Sequence, residues 1–150
     1  MDTIKYRKAE KYVLAEPYTI VTNIVREPIL TSPVLSIKYL TLWPDGTLEI
    51  EAGYPWDGPS GPTIDTPEFM RGSLVHDALY DLIGKGELDV IWRGEADKEL
   101  RRLCLEDGMP SDEAYVVYKA VDKFGEKHAL SGRERKILEA PRRKGRKEGD

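Results

Sequence analysis

The sequence predicts an α+β fold, with N-terminal antiparallel β hairpins followed by a three-helix part that carries the candidate site. Three observations predict it. The first half is rich in β-branched and aromatic residues, and Leu48–Ala52 alternates apolar with polar. From Phe69 onward the apolar residues fall at helical spacing instead. Between the two patterns lies one Gly/Pro stretch, Trp56-Asp57-Gly58-Pro59-Ser60-Gly61-Pro62, which neither a strand nor a helix accommodates.

In order, Tyr12–Leu14 and Tyr18–Thr22 read as strands. Val34–Leu42 reads as the clearest strand, Pro44-Asp45-Gly46-Thr47 as a turn, and Leu48–Ala52 as the returning strand of a hairpin. That strand leads straight into the Gly/Pro loop. Thr66-Pro67 reads as an N-cap and first helical position. Met70, Leu74, Leu79 and Ile83 keep helical spacing up to Gly84-Lys85-Gly86, which ends the first helix. A second helix runs from Gly94 to about Glu106, stopped by Gly108-Met109-Pro110. Ser111 is placed to cap a third, with the stripe Ala114, Val117, Tyr118, Val121 and Phe124. The expected organisation is a single domain over 1–140, with a β part at 1–53 and the loop plus helices at 54–130. Residues 141–150, with five bases and two acids, form a basic disordered tail.

Composition narrows the function classes. With 150 residues, 40% hydrophobic and 33% charged, the chain is long enough for a real core and ordinary for a soluble domain. A net charge of -4 argues against a nucleic-acid-binding domain, so no nucleic-acid partner is expected. No run approaches the ~18 apolar residues of a membrane span, and Met1–Lys8 lacks a signal-peptide core. Cys104, the single cysteine, lies in an apolar run and reads as core filler. The single cysteine fits a reducing compartment at synthesis, so the expected location is the cytoplasm.

The richest motif is His76-Asp77-Ala78-Leu79-Tyr80 on the first helix. His76 and Tyr80 stand one turn apart on one face, and Asp77 points about 100° away. On the second helix, Asp97 has apolar helical neighbours Leu100 and Cys104, so it lies at the edge of a buried face and needs a partner. If the two helices pack antiparallel, His76 and Tyr80 supply it. Asp97 would then fix the tautomer of His76, leaving the other ring nitrogen to take a proton from water. Asp77 would bind a hard cation together with loop oxygens, a donor set that suits calcium and not zinc.

From Tyr54 to about Leu103 the chain resembles a phospholipase A2 core, most of all the disulfide-free version on parvovirus capsid proteins. The resemblance rests on several elements in order: the Gly/Pro loop, Asp65, His76-Asp77-x-x-Tyr80, a Gly-containing linker with Trp92, and Ala96-Asp97-x-Glu99-Leu100. It implies His76 as general base, Tyr80 and Asp97 as its supports, and Asp77 as the calcium carboxylate. Loop carbonyls of Trp56, Gly58 and Ser60 would complete the shell. Asp57 has no counterpart there and is a further candidate ligand. Pro59 and Pro62 lack N–H groups and cannot donate to an oxyanion. The whole chain also resembles an uncharacterised family of tailed phages and prophages, with a similar β half and an aromatic-Asp-Gly loop before the His-Asp helix.

The function expected from these resemblances is calcium-dependent ester hydrolysis of phospholipase A2 type, phage-encoded, at a phospholipid membrane surface. Trp56, Phe69 and Met70 are the residues near the loop available to dock on lipid. Two alternatives stay open. One is a hydrolase of peptide or phosphate esters that uses another divalent metal. The other is a non-enzymatic phage structural or host-interaction protein, in which His76, Tyr80 and Asp97 form a buried network and virion or host proteins are the partners.

Overall fold

A computed structural model describes residues 3–8, 12–58 and 66–123. Two antiparallel sheets precede the helices, so the fold is α+β as the sequence predicts. The first sheet has the order β1-β2-β7, from Tyr6–Lys8, Tyr12–Leu14 and Pro55–Trp56. The second has the order β3-β6-β5-β4, from Tyr18–Val21, Thr47–Ile50, Leu40–Leu42 and Leu35–Ile37. The helical part comprises α1 (Pro67–Gly84), a 3-10 turn (Val90–Trp92), α2 (Arg93–Glu106) and the helical residues 111–123, here α3.

The period-2 pattern explains the second sheet. Tyr18 pairs with Ile50 and Ile50 with Leu40, while Ile20 pairs with Leu48 and Leu48 with Leu42. All of these are buried, and the intervening Thr19 and Glu49 are exposed. One sheet face therefore joins the core against Leu74, Val75, Ala78, Leu79 and Leu82 of α1. A second, smaller cluster of Phe69, Leu100, Cys104, Met109, Ala114 and Val117 seats α3 on α1 and α2.

The structure departs from the sequence reading at several places. Val34–Leu42 is a tight hairpin of β4 and β5, not one strand. The chain reverses at Lys38-Tyr39, with Tyr39 in the left-handed region at φ 73°. No Gly, Asn or Pro marks that turn. Tyr39 is held there by its ring edge on Tyr54 and by its carbonyl, which accepts from the Glu51 N–H. The following turn sits one residue earlier than expected, with Gly46 N–H donating to the Trp43 carbonyl. The β part also extends past residue 53, because Pro55–Trp56 pairs with β2 as a strand. The second helix starts at Arg93. Pro110 precedes the third, and its carbonyl accepts from Ala114 N–H, so Ser111 is the first helical residue, not the cap. Phe124, His128 and the 141–150 tail lie outside the described residues.

Helices α1 and α2 run antiparallel, as contacts from Arg71 to Asp107, Gly72 to Leu100 and His76 to Asp97 require. Gly72 permits the close approach: a Cβ there would lie 2.9 Å from Leu100 Cδ1 and 3.2 Å from Cys104 Sγ. Below this crossing the buried Arg71 guanidinium bonds Asp107, Glu106 and the Tyr18 hydroxyl, tying both helices to β3. Buried Glu99 ties α2 to the segment after β3 by accepting from Asn23, and it also accepts from Arg102 of its own helix. These ties fix the register of the two helices and so the position of the site above them.

Candidate functional site

The site forms where α1 faces the start of α2. His76 and Tyr80 share one helical face, and their rings stack with centroids 4.3 Å apart. That face meets Asp97, whose side chain is 0% exposed. Asp97 Oδ1 lies 2.7 Å from His76 Nε2 and accepts the Tyr80 hydroxyl at 2.8 Å. Antiparallel packing thus brings together the three residues that the spacing singled out.

The contact geometry constrains the protons. A buried carboxylate against Nε2 makes that nitrogen the donor, so the neutral imidazole keeps its lone pair on Nδ1. Nδ1 has no hydrogen bond among the described residues, and 11% of the His76 side chain remains accessible. Burial, then the charge of Asp97, pushes the Tyr80 phenol far above its ordinary range, so Tyr80 stays a donor to Asp97.

Asp77 points to a different neighbour, as the helical geometry dictates. Its Oδ2 accepts the backbone N–H of Asp57 at 3.2 Å, which docks the start of the loop on α1. Behind them Tyr54 donates to Asp81, one turn beyond Asp77. Burial, then Asp81, raises the Tyr54 phenol well above its usual range, and the charges of Asp77 and Asp57 add to that. Asp57 and Asp77 therefore sit close to one another and share one field. Gly58 is in the left-handed region at φ 82°, and a Cβ there would lie 2.5 Å from Tyr12 Cε2. Only glycine lets the loop leave the sheet past that ring.

Other expected ligands are placed less directly. Trp56 ends β7 and is buried, with its indole N–H on Ser73 Oγ at 3.1 Å. Ser60 and Asp65 lie outside the described residues. Among the described residues, no group of three or more His, Cys, Asp or Glu side chains is gathered to hold a metal.

The docking expectation is corrected. Trp56, Phe69 and Met70 are all core residues and present nothing to lipid. The exposed large apolar side chains include Ile29, Leu30, Val34 and Trp43, around the loop before β4. Among the described residues, no helix is long and apolar enough to cross a membrane.

Two contributors escaped the sequence reading. Arg93 Nη1 donates to Asp97 Oδ2 at 3.2 Å and to Asp122 Oδ1 of α3 at 3.1 Å. Arg93 had a signal, since it precedes Asp97 by four residues on one helix. Asp122 had none, because its approach depends on how α3 packs. Compared with protein-family models, curated proteins and solved structures, the chain matches none.

Proposed function

We propose that this protein is a calcium-dependent hydrolase of phospholipase A2 type, acting on a phospholipid ester. The observation that carries the reading is the shared oxygen of Asp97, which binds His76 Nε2 and Tyr80 together. It fixes the imidazole so that Nδ1 is the free base. Water gives its proton to Nδ1 and attacks the ester carbonyl. Asp97 stabilises the resulting imidazolium, and Nδ1 returns the proton to the leaving alkoxide. Asp77 and Asp57 would hold the cation, with carbonyls of Trp56 and Gly58. When bound, calcium supplies polarisation of the carbonyl and stabilisation of the oxyanion.

The test is thermal melting during calcium titration, wild type beside Asp77→Asn, followed by vesicle hydrolysis with His76→Asn. At about 100 times the Kd, calcium should stabilise the wild type by about 2.7 kcal/mol and the Asp77 variant by much less. His76→Asn should remain folded and cleave nothing. Full hydrolysis by His76→Asn would sink the mechanism.

One observation favours a second reading. Asp97 is wholly buried and clamped from α1 and from its own helix, with Arg93 continuing to α3. Such a network rigidifies a small domain without chemistry. A non-enzymatic phage structural or host-interaction protein would then show no calcium response, no ester cleavage and a stability loss in His76→Asn. Retention of zinc or manganese with no calcium response would instead favour a hydrolase of another ester.

A further inference from the structure

The sheet that packs on α1 has a second face. Ile20, Leu35, Leu42 and Leu48 are buried and turn inward to the core. Strand alternation therefore turns their neighbours outward. Val34 precedes β4 and Trp43 follows β5, one residue beyond the Leu35–Leu42 pair, and Val21 pairs with Thr47 on the same outer side. The segment between β3 and β4 turns at Pro28, whose carbonyl accepts the N–H groups of Thr31 and Ser32. Leu30 in that turn is 96% exposed, and Ile29, Val34, Trp43 and Val21 are exposed as well.

The segment is tied down at both ends. The Arg26 N–H donates to the Pro44 carbonyl, and its guanidinium donates to the carbonyls of Pro33 at 2.7 Å and Leu42 at 3.1 Å. Between segment and sheet lies a cleft of about 430 Å³, with Ile29, Leu30, Val34 and Trp43 in its walls. Asp45 and Glu49 line the same cleft, and none of its lining residues is basic. The Thr47 N–H holds Asp45 in place at 2.9 Å. Among the described residues, neither carboxylate is paired with a cation.

We propose that this outer face docks a protein partner through a basic, apolar segment, which places an aliphatic side chain in the cleft and a Lys or Arg against Asp45 and Glu49. The face lies across the sheet from α1, so the proposal stands apart from the hydrolytic reading of His76 and Asp97.

Charge selects the occupant. Exposed apolar side chains gathered in one place mark an interaction surface, but apolarity alone does not say for what. A second copy laid face to face would set Asp45 and Glu49 against the same acids, and an anionic bilayer would be repelled in the same way. A cationic segment neutralises both carboxylates and brings its apolar neighbours onto Leu30 and Trp43. Tryptophan suits such a contact, because it offers a large rigid surface at low cost in conformational entropy. Arg26 does not fill the cationic role itself, since its Nη1 and Nη2 are held by the Pro33 and Leu42 carbonyls.

The probe is a synthetic peptide of roughly ten residues alternating Leu with Lys, beside a control that alternates Leu with Glu. Each is titrated into the 15N-labelled full chain, and amide shifts are followed by NMR. The Leu-Lys peptide should shift amides within 29–34 and 43–49 and leave those of α1 and α2 in place, with a Kd below about 1 mM. Leu30→Ser changes a side chain that the fold leaves exposed, and it should weaken binding about tenfold, the factor for one buried aliphatic side chain. Asp45→Asn with Glu49→Gln should weaken binding about fivefold, the factor for two exposed ion pairs, and should remove most of its salt dependence. No shift at about 1 mM peptide, shifts centred elsewhere, or full affinity in Leu30→Ser overturns the docking site. Equal binding of the Leu-Glu peptide overturns the basic partner, as does full affinity in the doubly substituted chain. Shifts of the same amides on dilution of the protein alone, or with phosphatidylglycerol vesicles in place of peptide, would assign the face to a second copy or to a membrane and overturn the proposed partner.

Discussion

Replacing Asp97 by Asn changes almost no volume and removes one charge, so its cost can be worked from the bonds. The carboxylate meets His76 Nε2 at 2.7 Å, Tyr80 at 2.8 Å and Arg93 at 3.2 Å, and has no solvent to fall back on. An Asn has one acceptor oxygen. If that oxygen stays on His76 and Tyr80, the amide NH2 points at Arg93, donor against donor. If the amide turns over, Arg93 is served but the NH2 faces the imidazole, which must move its proton to Nδ1. Either way, a buried pair loses its charge, for which about 3–5 kcal/mol is expected. Arg93 keeps Asp122 as a partner, which places the loss near the lower end, at about 3 kcal/mol. With a urea slope of about 1.5 kcal/mol/M, the midpoint should fall by about 2 M. Urea titration by far-UV circular dichroism measures it. A drop smaller than about 0.5 M would refute the claim that Asp97 is held by charge-assisted bonds in a dry site. In the hydrolytic reading the same variant also loses activity, because in either orientation Asn lacks the charge that stabilises the imidazolium.

Three further outcomes follow from the same structure. Gly58→Ala places a methyl in the left-handed region and against the Tyr12 ring, so thermal melting should show a loss of about 2–4 kcal/mol, and a loss below about 0.5 kcal/mol would mean the loop is not held there. Burial pushes the Cys104 thiol up to about 12, and a group raised in the fold keeps its stabilising protonated form until the pH passes that value. Labelling by a thiol reagent at about pH 8 should therefore track global unfolding, and rapid labelling without denaturant would contradict the packing. Bonding to Arg71 lowers Glu106, and the Arg93 guanidinium lowers Asp122 against the effect of burial. Their contribution is present above the ordinary carboxylate range and lost as pH falls through the depressed values, below about pH 4. Glu106→Gln and Asp122→Asn should each flatten the acid limb of a stability–pH curve, and unchanged limbs would show those bonds to be inert in solution.

The candidate site was legible to the extent that it obeys helical geometry. One-turn spacing put His76 and Tyr80 on one face and sent Asp77 elsewhere, and the structure places Asp77 on the Asp57 amide. The apolar neighbours of Asp97 marked it as buried, and burial demanded a partner. The β hairpin that ends at Leu42 was misread because its reversal uses Lys38-Tyr39, which carry no turn chemistry. That conformation is maintained by Tyr54, fifteen residues on in sequence and adjacent only in the fold. The core roles of Trp56, Phe69 and Met70 were likewise hidden, because hydrophobicity alone does not distinguish a side chain that docks on lipid from one that docks on its own protein.

What the sequence determined by itself is whatever depends on neighbours a few residues apart. The period-2 stretches set the strands, the 3.6-residue stripes set the helices, and the His76–Tyr80 face follows from that period. What only the tertiary structure decided is whatever joins separate elements. The close crossing at Gly72 delivers Asp97 to His76, β2 recruits Pro55–Trp56 as a strand, and the seat of α3 brings Asp122 to Arg93. Local periodicity fixes directions within one element. The partner of a buried charge depends on the register between elements, which is set by packing and by ties such as Arg71 and Glu99 that no local pattern encodes.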